Sequence, residues 1–112
     1  MTNVWQVQVA APTKDAATRL AQAAVEARLA AGGQVIGPVT SVFWHLGEFG
    51  TGEEWQVVLK TTEDRYPELE RHLVKHHEWT NPEITAVPLA AGLASYLDWV
   101  ERTTGEQVSD NG

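Results

Sequence analysis

The chain predicts an α+β fold of order β-α-β-β-α-β, with a long β-hairpin and an extra C-terminal helix. Three observations predict it. Val4 to Ala10 alternates apolar and polar residues with period two, which is the mark of a half-buried strand. Lys14 to Ala31 is built from Ala, Leu, Gln, Glu and Arg, which are good helix formers. Gln34 to Thr61 holds two apolar, β-branched runs joined by a Gly-rich acidic link, the pattern of a hairpin. A strand-helix-strand unit on each side of a hairpin gives the ferredoxin-like arrangement, an antiparallel sheet with two helices on one face. The other face would then be bare in a lone chain.

In the first strand, Trp5, Val7 and Val9 share one face and Gln6 and Gln8 the other. Ala11-Pro12-Thr13 breaks it. Thr13 is suited to be an N-cap, with Asp15 in the first turn beside the positive end of the helix dipole. Ala17, Leu20, Ala21, Ala24 and Val25 form a small-residue stripe that can pack closely on a sheet. Gly32-Gly33 is expected to end this helix as a left-handed cap.

The hairpin follows. Its first arm carries Val35, Ile36, Val39, Val42, Phe43 and Trp44, and its second Trp55, Val57, Val58 and Leu59. Gly37-Pro38 within the first arm predicts a bulge or an edge position, since Pro donates no ladder hydrogen bond. Gly47, Gly50 and Gly52 are placed in the turn, with Glu48, Glu53 and Glu54 at an acidic tip. A hairpin this long on a small domain projects beyond its own core, and its apolar surface calls for a partner chain.

Glu63-Asp64 opens a second helix that tolerates Pro67 in its first turn, with Tyr66, Leu69, Leu73 and His76 on the inward stripe. Trp79 to Pro82 is irregular. Ile84 to Leu89 is a short strand that Pro88 marks as an edge or a terminus. A last helix starts at Gly92 or Leu93 and turns Leu93, Tyr96, Leu97 and Val100 to one side. Residues 1–102 are read as one domain and 103–112 as a polar, frayed tail.

The 112 residues suit a single domain. A net charge of −7 opposes nucleic-acid binding, which needs Lys and Arg to neutralise phosphates. The absence of cysteine removes disulfides, thiolate metal sites and thiol catalysis. No apolar run approaches the ~20 residues of a membrane span, so no membrane partner is expected and the cytoplasm is the default compartment.

No catalytic signature is present, so a non-enzymatic role is expected. The chemistry rests on four histidines. His72 and His76 are four apart, so they share a helix face and can seat one copper or zinc ion. Glu68 and Glu78 are near in sequence. The alternative is a solvated face that merely tolerates imidazole. His77 falls at the helix end, where it can meet terminal carbonyls. Alternation puts His45 with Phe43 and Ser41, as either a ligand or a hydrogen-bonded strand residue. The five tryptophans suit a core or an interface, or the wall of a ligand cleft.

Thr40-Ser41-Val42-Phe43-Trp44, Lys60-Thr61, Asn81-Pro82-Glu83-Ile84 through Pro88, and Tyr96-Leu97-Asp98-Trp99-Val100 together resemble the CutA proteins, named for divalent-cation tolerance. Glu26-Ala27-Arg28-Leu29-Ala30-Ala31 matches as well, and the likeness spans about Val4 to Arg102. The resemblance implies a homotrimer built by the long hairpins, a cytoplasmic location, and kinship in fold to PII-like trimers that bind small ligands between subunits. If a divalent metal binds, His77 with His45, and then His72 with His76, are the expected ligands. A small organic ligand or nucleotide in the inter-subunit cleft is the rival occupant, with Lys60 the nearest base. A structural protein-interaction trimer is the third reading. Three departures stand out. Gly32 occupies the position where the family often has a thiolate. His45 and Leu46 follow Trp44 where the family has Trp and an acid. His77-Glu78-Trp79-Thr80 replaces the usual His-Pro-Tyr-Glu.

Overall fold

The computed structural model of the protein describes residues 2–105. The elements run β1 (Val4–Ala11), α1 (Lys14–Glu26), β2 (Gly32–His45), β3 (Glu48–Thr62), α2 (Tyr66–His76), β4 (Ile84–Pro88) and α3 (Ala94–Gly105). They form one antiparallel sheet in the order β2-β3-β1-β4. Both Pro38 and Pro88 therefore lie in edge strands, where a missing N–H costs no ladder bond.

The pleat decides what is buried. Val7, Val9 and Ala11 of β1 and Val57 and Leu59 of β3 face α1 and α2. They meet Ala16, Ala17, Leu20 and Ala24 of α1 and Leu69 and Leu73 of α2, all buried. Each large aliphatic side chain here contributes about 1.5–3 kcal/mol by leaving water. The small stripe of α1 lets that helix lie close on the sheet. Thr13 caps α1 as its type predicts, its Oγ accepting from the Ala16 N–H at 3.0 Å.

α1 ends earlier than the glycines suggest. Arg28 takes the left-handed position (φ 60°), the Leu29 N–H donates to the Ala24 carbonyl and the Arg28 N–H to that of Val25. This is the Schellman pattern, with Leu29 and Ala24 buried together as its apolar contact. Gly32 and Gly33 belong to β2 instead. Arg28 Nη1 also donates to the Thr103 carbonyl in the last turn of α3, where a cation is favoured by the helix dipole.

α3 overturns the expectation of a wholly bare second face. Val4 alternates with Gln6 and Gln8, so it points away from α1 and α2. It is fully buried there by Val100 and Ala31, with Leu89 and Leu97 around them. Trp99 lies over Gly32 on the same side. The helix extends through buried Thr104 to Gly105, three residues past the expected domain end at Arg102. The rest of the predicted tail, 106–112, lies outside the described residues. What stays open on this face is amide-rich: Gln6, Gln8, Gln34 and Gln56, with Lys60 paired across from Gln6.

The hairpin turn is tighter than expected. Leu46 (φ 52°) and Gly47 (φ 82°) make a two-residue connection closed by the pair His45 and Glu48. Two successive positive φ values match the hand of the strand twist. Gly50 and Gly52 are strand residues, and Phe43 lies across both. A register shift between Ile36 and Val39 is the bulge that Gly37-Pro38 predicts. Trp55 packs on Gly37 there. A methyl group at position 37 would sit 2.5 Å from Cε3 of that ring. Gly37→Ala is therefore expected to lower stability by about 1–3 kcal/mol, because the indole is rigid and held by the core. The check is the urea midpoint of unfolding, compared with the unaltered chain at equal protein concentration.

Candidate metal and small-ligand site

The four histidines lie in two regions. His45 closes the hairpin tip and is exposed. His77 sits at the base of the sheet beside β1. The rungs Glu48 and Trp55, near these two places, are seven strand steps apart, roughly 24 Å at ~3.4 Å per step. Within one chain, His45 and His77 are not brought together.

His77 also has both ring nitrogens engaged. Nε2 meets the Ala10 carbonyl at 2.7 Å, and Nδ1 meets the Trp79 N–H at 3.0 Å. A carbonyl only accepts and an amide N–H only donates, so Nε2 carries the proton and Nδ1 the lone pair. That lone pair is used by the backbone. His77 thus ties the irregular segment after α2 to the end of β1, with the Trp79 ring alongside at 5.3 Å.

His72 and His76 lie together on α2, as their spacing predicts. Their ring centroids are 4.2 Å apart. His76 is exposed instead of inward, because Leu69 and Leu73 already fill the stripe that faces the core. Its Nδ1 meets the His72 carbonyl at 2.8 Å, which makes Nδ1–H the donor and leaves the lone pair on Nε2. His72 is half-buried, and its Nδ1 is enclosed without a hydrogen-bond partner. Burial first, and then the neighbouring His76 and Lys75, push its pKa below the usual imidazole value, while Glu68 opposes them. Tyr66 opens the same helix against Trp5. Burial and the Glu70 carboxylate raise its phenol to about 12, so it stays neutral.

Sequence reasoning missed a groove of about 540 Å³ between α1 and the end of α2. It is lined by Pro12, Ala16, Leu20 and Ala23 and by the polar residues Arg19, Gln22, Glu26, His76, His77 and Glu78. Arg19 and Glu78 face each other across it at 3.7 Å, both well exposed. Arg19, Gln22, Glu26 follow an i, i+3, i+7 rhythm on the polar side of α1, and that rhythm was the available signal. Among the described residues, no group of three or more His, Asp or Glu is arranged to hold a metal ion. No helix among them is long and apolar enough to cross a membrane.

Sheet order, helix placement and overhanging hairpin define a ferredoxin-like domain of a long-hairpin class. Comparison with known proteins places it more narrowly. Residues 5–103 match the family described as CutA1 divalent ion tolerance protein, and the chain belongs to that family. It is 36% identical over 99 residues to the divalent-cation tolerance protein CutA of Thermus thermophilus, covering 88% of this chain and 96% of that one. The Archaeoglobus fulgidus protein of the same name is 31% identical over 97 residues, covering 87% and 94%. The chain spans only 56% of a chloroplastic rice relative, Protein CutA 1, at 34% identity. Among solved structures, the Thermus thermophilus protein superposes with a TM-score of 0.88 at 35% identity, covering 91% of this chain and 99% of that one. CutA1 from Oryza sativa gives 0.89 at 32%, covering 95% and 97%.

The lowered pKa of His72 carries a sign. The unfolded chain binds a proton at this group more readily than the folded one, so its contribution to stability is complete above about pH 6.5 and is lost as pH falls toward the depressed folded value. Unfolding measured at pH 7.5 and pH 5.5 is expected to show the lower stability at pH 5.5. His72→Gln should reduce that difference, and an undiminished difference would assign it to other groups.

Proposed function

We propose that the protein is a non-enzymatic, cytoplasmic homotrimer that acts in divalent-cation tolerance, its chains joined through their long hairpins. The observation that carries the assembly is the overhang. β1 flanks β3 only from Trp55 to Thr62, while β2 and β3 continue alone from Val39 to Glu54. Alternation puts Val42, Trp44 and Phe49 on one face of that overhang, 60%, 73% and 63% exposed, and Leu46 at its tip is 89% exposed. Trp44 and Phe49 stack edge to face at 5.7 Å and form an apolar blade. A two-stranded ribbon is marginal alone in water, and an apolar blade of this kind is what a partner surface covers.

The molecule measures 50 × 30 × 21 Å. Its radius of gyration of 14.9 Å exceeds the ~13 Å expected of a compact chain of this length. The excess supports a protomer shaped by assembly. The cation role is supported by the names of the relatives, each a CutA protein. The non-enzymatic reading is supported by the same names.

The test is a Trp44→Glu/Phe49→Glu double variant in sedimentation equilibrium. The unaltered chain should sediment at three times the chain mass at micromolar concentration. The variant should fall to smaller species, and should fail to restore copper tolerance in a bacterial host that lacks its own CutA. A monomeric unaltered chain, or a variant with full assembly and full tolerance, would overturn the proposal.

A further inference from the structure

The apolar blade belongs to assembly, and the groove beside α1 has an exposed ion pair across it. The sheet face beside α3 has another character. It sets one cation among amides, next to an aromatic wall.

We infer that the corner between α3 and this face is a binding site for a small aromatic monocarboxylate. Lys60 holds the carboxylate, Gln6 and Gln8 supply hydrogen bonds around it, and Trp99 stacks on the ring. The site is independent of the divalent-cation reading.

The strand register builds it. Gly32 of β2 pairs with Lys60 of β3, and Lys60 with Gln6 of β1. One rung further along, Gln34 pairs with Val58 and Val58 with Gln8. Directly opposed residues point the same way, their Cβ atoms about 4.5–5.5 Å apart, so these positions form one patch. Gly32 has no side chain to fill its place in the rung, and the Trp99 ring takes that place. A methyl group at position 32 would lie 3.5 Å from Cη2 of the indole. The indole therefore stands beside the root of the Lys60 side chain, within one chain. Trp99 is 39% exposed, and Tyr96, one turn earlier, meets it at 5.6 Å.

Charge and polarity name the occupant. Lys60 is the sole charged residue of these two rungs. It is half-buried, and among the described residues no carboxylate pairs with it. Gln6 and Gln8 are half-buried too, and among the described residues their amides make no side-chain hydrogen bond. Such a face is poor as a plain protein contact, whose core favours apolar and aromatic residues and excludes Lys. Covering it in an assembly would strand the ammonium unless an anion came with it. One ammonium matches one negative charge, and a chain of net charge −7 opposes multiply charged anions such as nucleotides. A carboxylate accepts from the ammonium and from amide N–H groups together. The indole face favours a planar ring. A ring that bears one carboxylate meets both demands.

The experiment is calorimetric titration of the full chain with benzoate and nicotinate. Benzamide, which lacks the charge, acetate, which lacks the ring, and AMP are the controls. Both acids should bind at millimolar concentration or below, and benzamide should bind about tenfold more weakly or worse, since it loses a hydrogen bond between charged groups. Lys60→Met should abolish the preference for benzoate over benzamide, and Lys60→Arg should keep it. Trp99→Leu should weaken benzoate about threefold or more through the lost stacking. A further measurement needs no variant: nuclear Overhauser contacts from the benzoate ring should reach the Trp99 indole. Failure of both acids to bind the unaltered chain, equal affinity for benzoate and benzamide, tighter binding of AMP, or contacts confined to other indoles would overturn the inference. Sedimentation of the variants separates the results: lost benzoate binding with intact assembly concerns this corner, and lost assembly concerns the hairpin.

Discussion

Strand β3 serves two neighbours and outlasts one of them. From Gln56 to Lys60 it is paired on both sides, by β2 and by β1, and its side chains Val57, Val58 and Leu59 are buried. From Glu48 to Glu54 it has only β2. The body of the protein is an ordinary two-layer domain of small volume, with α1 and α2 on one side and α3 closing the end of the other. The ribbon beyond it has no layer at all. A sheet stabilises itself through neighbours and through burial of a face, and here both run out partway along one strand. The shape of the molecule, its exposed aromatics and the functional reading all follow from that mismatch.

Much of this was legible in the residues. Period-two alternation located β1, the apolar runs located the hairpin, Thr13 marked the start of α1, and Gly37-Pro38 marked the bulge and the edge. These signals are local: each depends on a side chain and its nearest neighbours along the chain. The misses needed information from a distance. Arg28 in a left-handed turn is uncommon for a residue with a side chain, and it is held there by the Ala24 and Val25 carbonyls and by the end of α3. Val4 looked like the first residue of an amphipathic strand, yet a helix ninety residues later buries it from the other side. The hairpin turn was placed too broadly because three glycines compete for it. Gly50 and Gly52 are glycine for another reason: the Phe43 ring lies where their side chains would be.

The histidines show the same division. Spacing alone paired His72 with His76, because a helix turns four residues into neighbours. Nothing in the spacing could show that His77 spends both nitrogens on the backbone of β1 and of its own loop, or that His72 hides one of its own. Imidazole is a ligand only through a free lone pair, and the hydrogen bonds of the fold decide which ring keeps one. His77, the first of the expected ligands, has both ring nitrogens taken by the backbone.

The central claim is that the ribbon from Val39 to Glu54 is covered by other chains in solution. Amide hydrogen exchange at micromolar concentration tests it directly. The account predicts that inter-strand amides of this segment exchange as slowly as those of β1, through opening of the whole assembly. Exchange there at the rate of a frayed hairpin, while β1 stays protected, would contradict it.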